Sequence, residues 1–192
     1  VTVLARSWVR VPSEAQALQT EALTLISNVL PEERLWLHWG MSMLAYPFFY
    51  DVGATVGRLL KLQNEFNSLQ VQRRMRESWG QRTTLERAVS RLLKTFAAWN
   101  VVKEAPEGSF TYKATAPRQT TNETLVLWFM ECLLRSSRQA NGRNDLQLPL
   151  LDLIQSPAIF PFVVTPHITT LRRSTRFEIS RQGPDLDMVA PV

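Results

Sequence analysis

The chain has 192 residues, of which 45% are hydrophobic and 20% charged, a balance that fits a folded protein and excludes an extended disordered tail. No apolar run approaches the roughly 20 residues needed to cross a bilayer, and the most hydrophobic stretch, MLAYPFFYDVGA, is interrupted by Pro47 and Asp51, so no membrane partner is expected. The net charge of +5 is unevenly spread: residues 52–118 carry 12 Lys/Arg against 5 Asp/Glu, and the remainder 10 against 12, which points to a polyanion partner for the middle of the chain.

The first segment, VTVLARSWVRVPSEA, lacks a long apolar stretch with a small-residue cleavage site, so a cytoplasmic location is expected. Trp8 stands between Arg6 and Arg10 on an N-terminal arm. Ser13 is placed to cap a helix reaching Val29, with Ala15, Leu18, Ala22, Leu25, Ile26 and Val29 as its apolar stripe. Pro31-Glu32-Glu33 opens the next helix, where proline and two carboxylates suit the first turn. Its body, RLWLHWGMSMLAY, is apolar nearly all round and predicts a central position. A third helix over 48–62 carries Gly53 and Gly57 one turn apart, a spacing that lets another backbone approach closely.

After an extended piece at 64–67, Ser68 is placed to cap a helix over 69–78, with Leu69, Val71, Met75 and Trp79 inward and Gln70, Arg73, Arg74 and Glu77 outward. Gly80 terminates it. Thr83 and Glu86 have capping-box spacing at the start of a helix over 83–99. Leu85, Ala88, Val89, Leu92, Leu93, Phe96 and Trp99 recur on one face; Thr84, Arg87, Arg91 and Lys94 fall together on the other. Val101-Val102, a Pro106–Ser109 turn and the alternation of Phe110 and Tyr112 with Thr111 and Lys113 predict a hairpin over 101–115.

Thr120 and Glu123 have capping-box spacing for a helix through about Arg138, which contains the lone cysteine, Cys132, on its apolar stripe. That cysteine reads as a small core residue in a reducing compartment. A polar loop, SRQANGRND, leads to a short helix over 148–155. FPFVV and TRFEISR, rich in β-formers, predict two or three short strands.

The order helix, extended piece, helix, helix, hairpin resembles the winged helix-turn-helix superfamily, and ERAVSRLLKTFAAWNVV…GSFTYKA resembles its passage from recognition helix to wing. The expected fold is therefore mainly α: N-terminal helices over 1–47, a winged helix-turn-helix over 48–118, and a C-terminal α+β extension over 119–192. The resemblance implies double-stranded DNA as partner, with the third helix in the major groove and the wing on the backbone. Arg82, Thr84, Arg87 and Arg91 would then face the groove, Lys94 on the same stripe would also bind DNA, and Arg73, Arg74, Lys103 and Lys113 would contact phosphate. The whole-chain arrangement is also similar to the small DNA-binding protein of BREX phage-defence systems, which implies a subunit working beside other proteins. Three readings stand open at this level: a DNA-binding subunit, a dimeric repressor, and a winged-helix scaffold for a protein partner.

Catalysis is not expected. His38 and His167 belong to no metal-ligand pattern, and neither GxxxxGK[ST] nor GxGxxG occurs, so no cofactor or metal is predicted. Trp36, Trp39, Trp79, Trp99 and Trp128 lie on apolar stripes and read as core. Arg172, Arg173, Arg176 and Arg181, flanked by Asp185 and Asp187, form a second basic cluster that either extends the DNA footprint, supports a subunit contact, or closes the C-terminal core.

Overall fold

A computed structural model describes residues 7–9, 11–141, 147–184 and 186–192, with side chains described except at 138–141. Arg6, Arg10, Asp185 and the last four residues of the SRQANGRND stretch lie outside the described residues. The protein is mainly helical, with two small antiparallel sheets. Helices α1 (Gln16–Leu25), α2 (Arg34–Ala45) and α3 (Pro47–Leu62) are followed by β1 (Glu65–Asn67), α4 (Ser68–Trp79), α5 (Thr83–Ala98), β2 (Val102–Glu104) and β3 (Thr111–Ala114). Then come α6 (Glu123–Asn141), β4 (Leu148–Pro149), α7 (Leu150–Ile154), α8 (Ile168–Arg173), β5 (Phe177–Gly183) and β6 (Leu186–Pro191).

The chain divides into two compact units. One comprises residues up to Tyr50, Gln119–Ser156 and Val164–Val192. Its core is aromatic: Trp36, Trp39, Trp128, Phe49 and Phe129 are fully buried, with Trp36 edge-on to Phe129 at 5.1 Å and Trp39 edge-on to Phe49 at 5.0 Å. Gly40 permits the close packing of α2 on α6, because a Cβ there would lie 2.6 Å from the Trp128 ring. Cys132 is buried in this core, and burial pushes its thiol well above the ordinary range, the Glu131 charge adding to the effect. A three-stranded sheet, in the order β4–β6–β5, belongs to the same unit.

The second unit comprises Asp51–Arg118 and Pro157–Val163. Val52, Val56, Phe66, Val71, Met75, Leu85, Val89, Leu93, Phe96 and Tyr112 form its core. Its sheet has the order β1–β3–β2, with all pairs antiparallel. Phe66 opposes Tyr112 in register, and their rings stack at 5.6 Å. Gly57 meets the Pro157 carbonyl, where a Cβ would stand 2.1 Å from the oxygen, so one of the paired glycines does admit a neighbouring backbone.

Several sequence expectations are corrected. The first helix is not continuous from Ser13: a 3₁₀ turn over Ser13–Ala15 precedes α1, which ends at Leu25. The cap of α4 is Asn67, whose Oδ1 accepts the Gln70 N–H at 2.9 Å while Gln70 Oε1 accepts the Asn67 N–H at 2.8 Å. Ser68 is thus the first helical residue. Thr83 likewise lies inside α5, one residue past the Arg82 cap position, and no capping box forms there. Ahead of α6, Asn122 Oδ1 accepts the Leu125 N–H at 3.1 Å, and the Thr120 hydroxyl donates instead to Glu33. That helix runs on to Asn141, into the stretch read as a loop. Leu69 faces solvent at 67% exposure, because Ser68, Val71, Gln72 and Met75 form the inward face of α4. FPFVV is not a strand: its only bridge is a parallel one between Phe162 and Arg118, and the C-terminal sheet is built from β4, β5 and β6.

Candidate nucleic-acid interface

Helix α5 separates its faces sharply. Leu85, Val89, Leu92, Leu93 and Phe96 are buried, while Arg82, Thr84, Glu86, Arg87, Arg91 and Lys94 are exposed. At 100° per residue, Thr84, Arg87, Arg91 and Lys94 fall within one narrow sector, so their side chains form a single row. None of the cations Arg82, Arg87, Arg91 and Lys94 has a carboxylate partner among the described residues. The one acid of α5, Glu86, lies on the flank of the helix turned towards α4 and pairs with Arg76 there, Nη2 to Oε1 at 2.8 Å. That exposed cross-helix pair adds little to the packing of α4 on α5, and the arginine row has no acid of its own on its side of the helix. Sequence reasoning missed Arg76, because no local pattern links it to Glu86, ten residues on.

The remaining expected contact residues are partly engaged. Arg73 and Arg74 both approach Glu77, at 3.9 and 3.4 Å, in exposed pairs that hold their side chains only weakly. Arg74 also lines a cleft of about 350 Å³ with Thr55, Arg58, Leu59, Leu62, Glu77 and Ser78. In the sheet, Lys103 sits directly opposite Lys113, and Lys113 pairs across β1 with Glu65 at 3.3 Å. Like charges facing each other across a strand pair repel, and Lys103 makes no ion pair among the described residues.

The link between β2 and β3 turns through Pro106–Ser109, with the Ser109 N–H donating to the Pro106 carbonyl at 3.1 Å and Gly108 at φ +76. The sequence pattern places Phe110 in the strand, alternating with Thr111. Instead it stands before the strand with φ +56 and 59% exposure.

The second basic cluster is spent within its own unit. Arg176 is clamped by two carboxylates: Nε to Glu131 at 2.5 Å, and Nη1 and Nη2 to Glu21 at 2.7 and 2.6 Å. These bonds outweigh its burial and hold the guanidinium protonated. Arg172 pairs with Asp187 at 2.5 Å, and Arg181 donates to the carbonyls of Gly183 and Pro184. Among the four, Arg173 and Arg181 are exposed and have no acidic partner among the described residues, Arg181 being held by backbone carbonyls alone.

His38 and Asp51 are tied to tryptophans. The Trp8 indole donates to His38 Nδ1 at 3.1 Å; burial, with Arg34 nearby, lowers the imidazole below 6.5. The Trp79 indole donates to Asp51 at 2.8 Å, and burial raises that carboxyl despite the bond. Trp79 is accordingly half-buried, not a core residue. Among the described residues, no group of three or more His, Cys, Asp or Glu is placed to hold a metal ion, and no helix is long and apolar enough to cross a membrane.

Comparison of the chain with protein-family models, with curated proteins and with solved structures finds no match in any of the three.

Proposed function

We propose that the unit built on Asp51–Arg118 is a winged helix-turn-helix that binds double-stranded DNA without catalysing a reaction on it. In this reading α3, α4 and α5 are the three helices, α5 is the recognition helix, and the β2–β3 hairpin is the wing. The element order and the β1–β3–β2 sheet support the fold assignment. The observation that carries the function is the row of Arg87, Arg91 and Lys94, with Arg82 at its head. These cations are exposed on a helix whose opposite face is fully used in packing, and the one acid of that helix pairs with Arg76 on its flank. Like charges at this spacing repel by a few tenths of a kcal/mol per pair, a cost that phosphate contacts relieve. On the resemblance to the BREX protein, the proposal extends to a subunit acting with other proteins in bacterial phage defence.

The test is a fluorescence-anisotropy titration of the full chain with a random duplex at several salt concentrations. Each phosphate neutralised contributes about −0.9 to the slope of log affinity on log salt. Arg87→Ala with Arg91→Ala should therefore make the slope shallower by about 2 and weaken binding, with folding unchanged. Absence of wild-type binding at about 50 mM salt, where nonspecific contacts persist, would refute DNA binding and leave the scaffold reading.

A further inference from the structure

We propose that Phe110 is a wedge that enters the base stack of bound duplex DNA; the inference rests on the DNA-binding reading above. A non-glycine residue in the left-handed region is sterically disfavoured, and an aromatic one has no short polar side chain to compensate locally. Here the conformation is imposed from both sides. The Phe110 N–H donates to Glu104 Oε1 at 2.8 Å, and its carbonyl accepts the Ser68 N–H at 3.0 Å, so β2 and the first residue of α4 hold it in place. Next to it the hairpin is closed by the Ala105 N–H, which donates to the Thr111 carbonyl at 2.9 Å.

The clamped backbone presents a ring that the fold does not use. Phe110 is 59% exposed, and the aromatic stack of this sheet is made by Phe66 and Tyr112 without it. Folding alone would favour glycine at this position, as it has at Gly108 two residues earlier. Charge on the hairpin does not explain the site either. Lys103 and Lys113 are offset by Glu104 and the exposed Glu107, so the hairpin adds little net attraction for phosphate. What it offers a duplex held by α5 is an apolar, rigidly mounted aromatic group. Such side chains act on DNA by inserting at a base step and partly unstacking it, most readily at flexible TA or CA/TG steps.

The experiment uses the full chain and a duplex carrying 2-aminopurine at a central TA step. Wild type should raise the 2-aminopurine emission on binding. Phe110→Gly should lose that signal and bind about tenfold more weakly, the order of one base–aromatic stack. Its salt slope should be unchanged, unlike that of the Arg87 and Arg91 variants. The same substitution should raise Tm by about 2–4 °C by releasing the strained backbone, and Phe110→Trp should retain the signal. Tight wild-type binding that Phe110→Gly leaves unaltered overturns the wedge and keeps DNA binding. A lowered Tm overturns it too, by showing that the ring serves the fold. Failure of wild type to bind any duplex removes the DNA reading itself.

Discussion

Replacing Gly57 by alanine sets two effects of opposite sign against each other. In an isolated helix the change is favourable by about 1 kcal/mol, because alanine is the better helix former. In α3 the added Cβ would lie 2.1 Å from the Pro157 oxygen, 2.9 Å from its carbonyl carbon and 3.1 Å from the Phe160 Cβ. The carbonyl would have to retreat by about 1.3 Å, the difference between that approach and an ordinary 3.4 Å contact. No side-chain rotation can absorb this, since the obstacle is backbone. The Pro157–Val163 segment is itself pinned to Arg118 by two bonds of 2.9 Å, and it buries Ala158, Ile159 and Phe162. Overpacking of this kind costs about 1–3 kcal/mol when side chains can yield and more when they cannot. With about 3–4 kcal/mol for the clash against about 1 kcal/mol of helix propensity, the variant should be destabilised by about 2–3 kcal/mol. For a chain of this size that is a fall in Tm of about 5–10 °C. Thermal unfolding followed by circular dichroism, with urea midpoints as a check, reads it directly. A Tm equal to or above wild type would refute the close approach of the two backbones.

Two further predictions concern the other unit. Arg176→Met should destabilise by about 3 kcal/mol in urea unfolding, the low end for breaking a buried pair, because Arg135 still reaches Glu131 at 2.7 Å; a loss under about 1 kcal/mol would show that the clamp matters little. His38 has a folded pKa below 6.5, so its neutral form is the one the fold favours. The associated stability is fully present above 6.5 and is lost as pH falls from there through the folded pKa. Tm should therefore decline on acidification below 6.5, with a change in Trp8 emission as its acceptor is protonated, and His38→Gln should flatten that part of the profile; identical profiles for the two proteins would remove His38 as the cause.

The parts of the site that were legible in the sequence are those set by local periodicity. The buried row from Leu85 to Phe96 and the exposed row from Thr84 to Lys94 follow from 3.6 residues per turn alone. Gly80 as the end of α4 was legible for a similar reason, since its φ of +75 suits glycine and few other residues. Helix starts were misplaced by one or two residues because Ser68, Thr83 and Thr120 all satisfy the same cap pattern as their neighbours. Which oxygen meets which amide depends on where the preceding chain enters. Leu69 shows the limit of apolarity as a guide: the inward face of α4 was decided by Ser68 and Gln72, and a leucine was left outside.

By itself, the sequence determined the long helices and which cations share a face of α5, because both are properties of neighbours along the chain. The short helix Ile168–Arg173 and the strand Leu148–Pro149 were not legible in it. Only the tertiary structure decided which cations remain available. Arg176 is consumed by Glu21, 155 residues away, and by Glu131, 45 residues away, while Arg76 pairs with Glu86, ten residues on. Ion pairing acts through space and leaves no spacing signal in the chain. The left-handed backbone of Phe110 has the same origin, imposed by hydrogen bonds from Glu104 and Ser68 that meet it only after the sheet has formed.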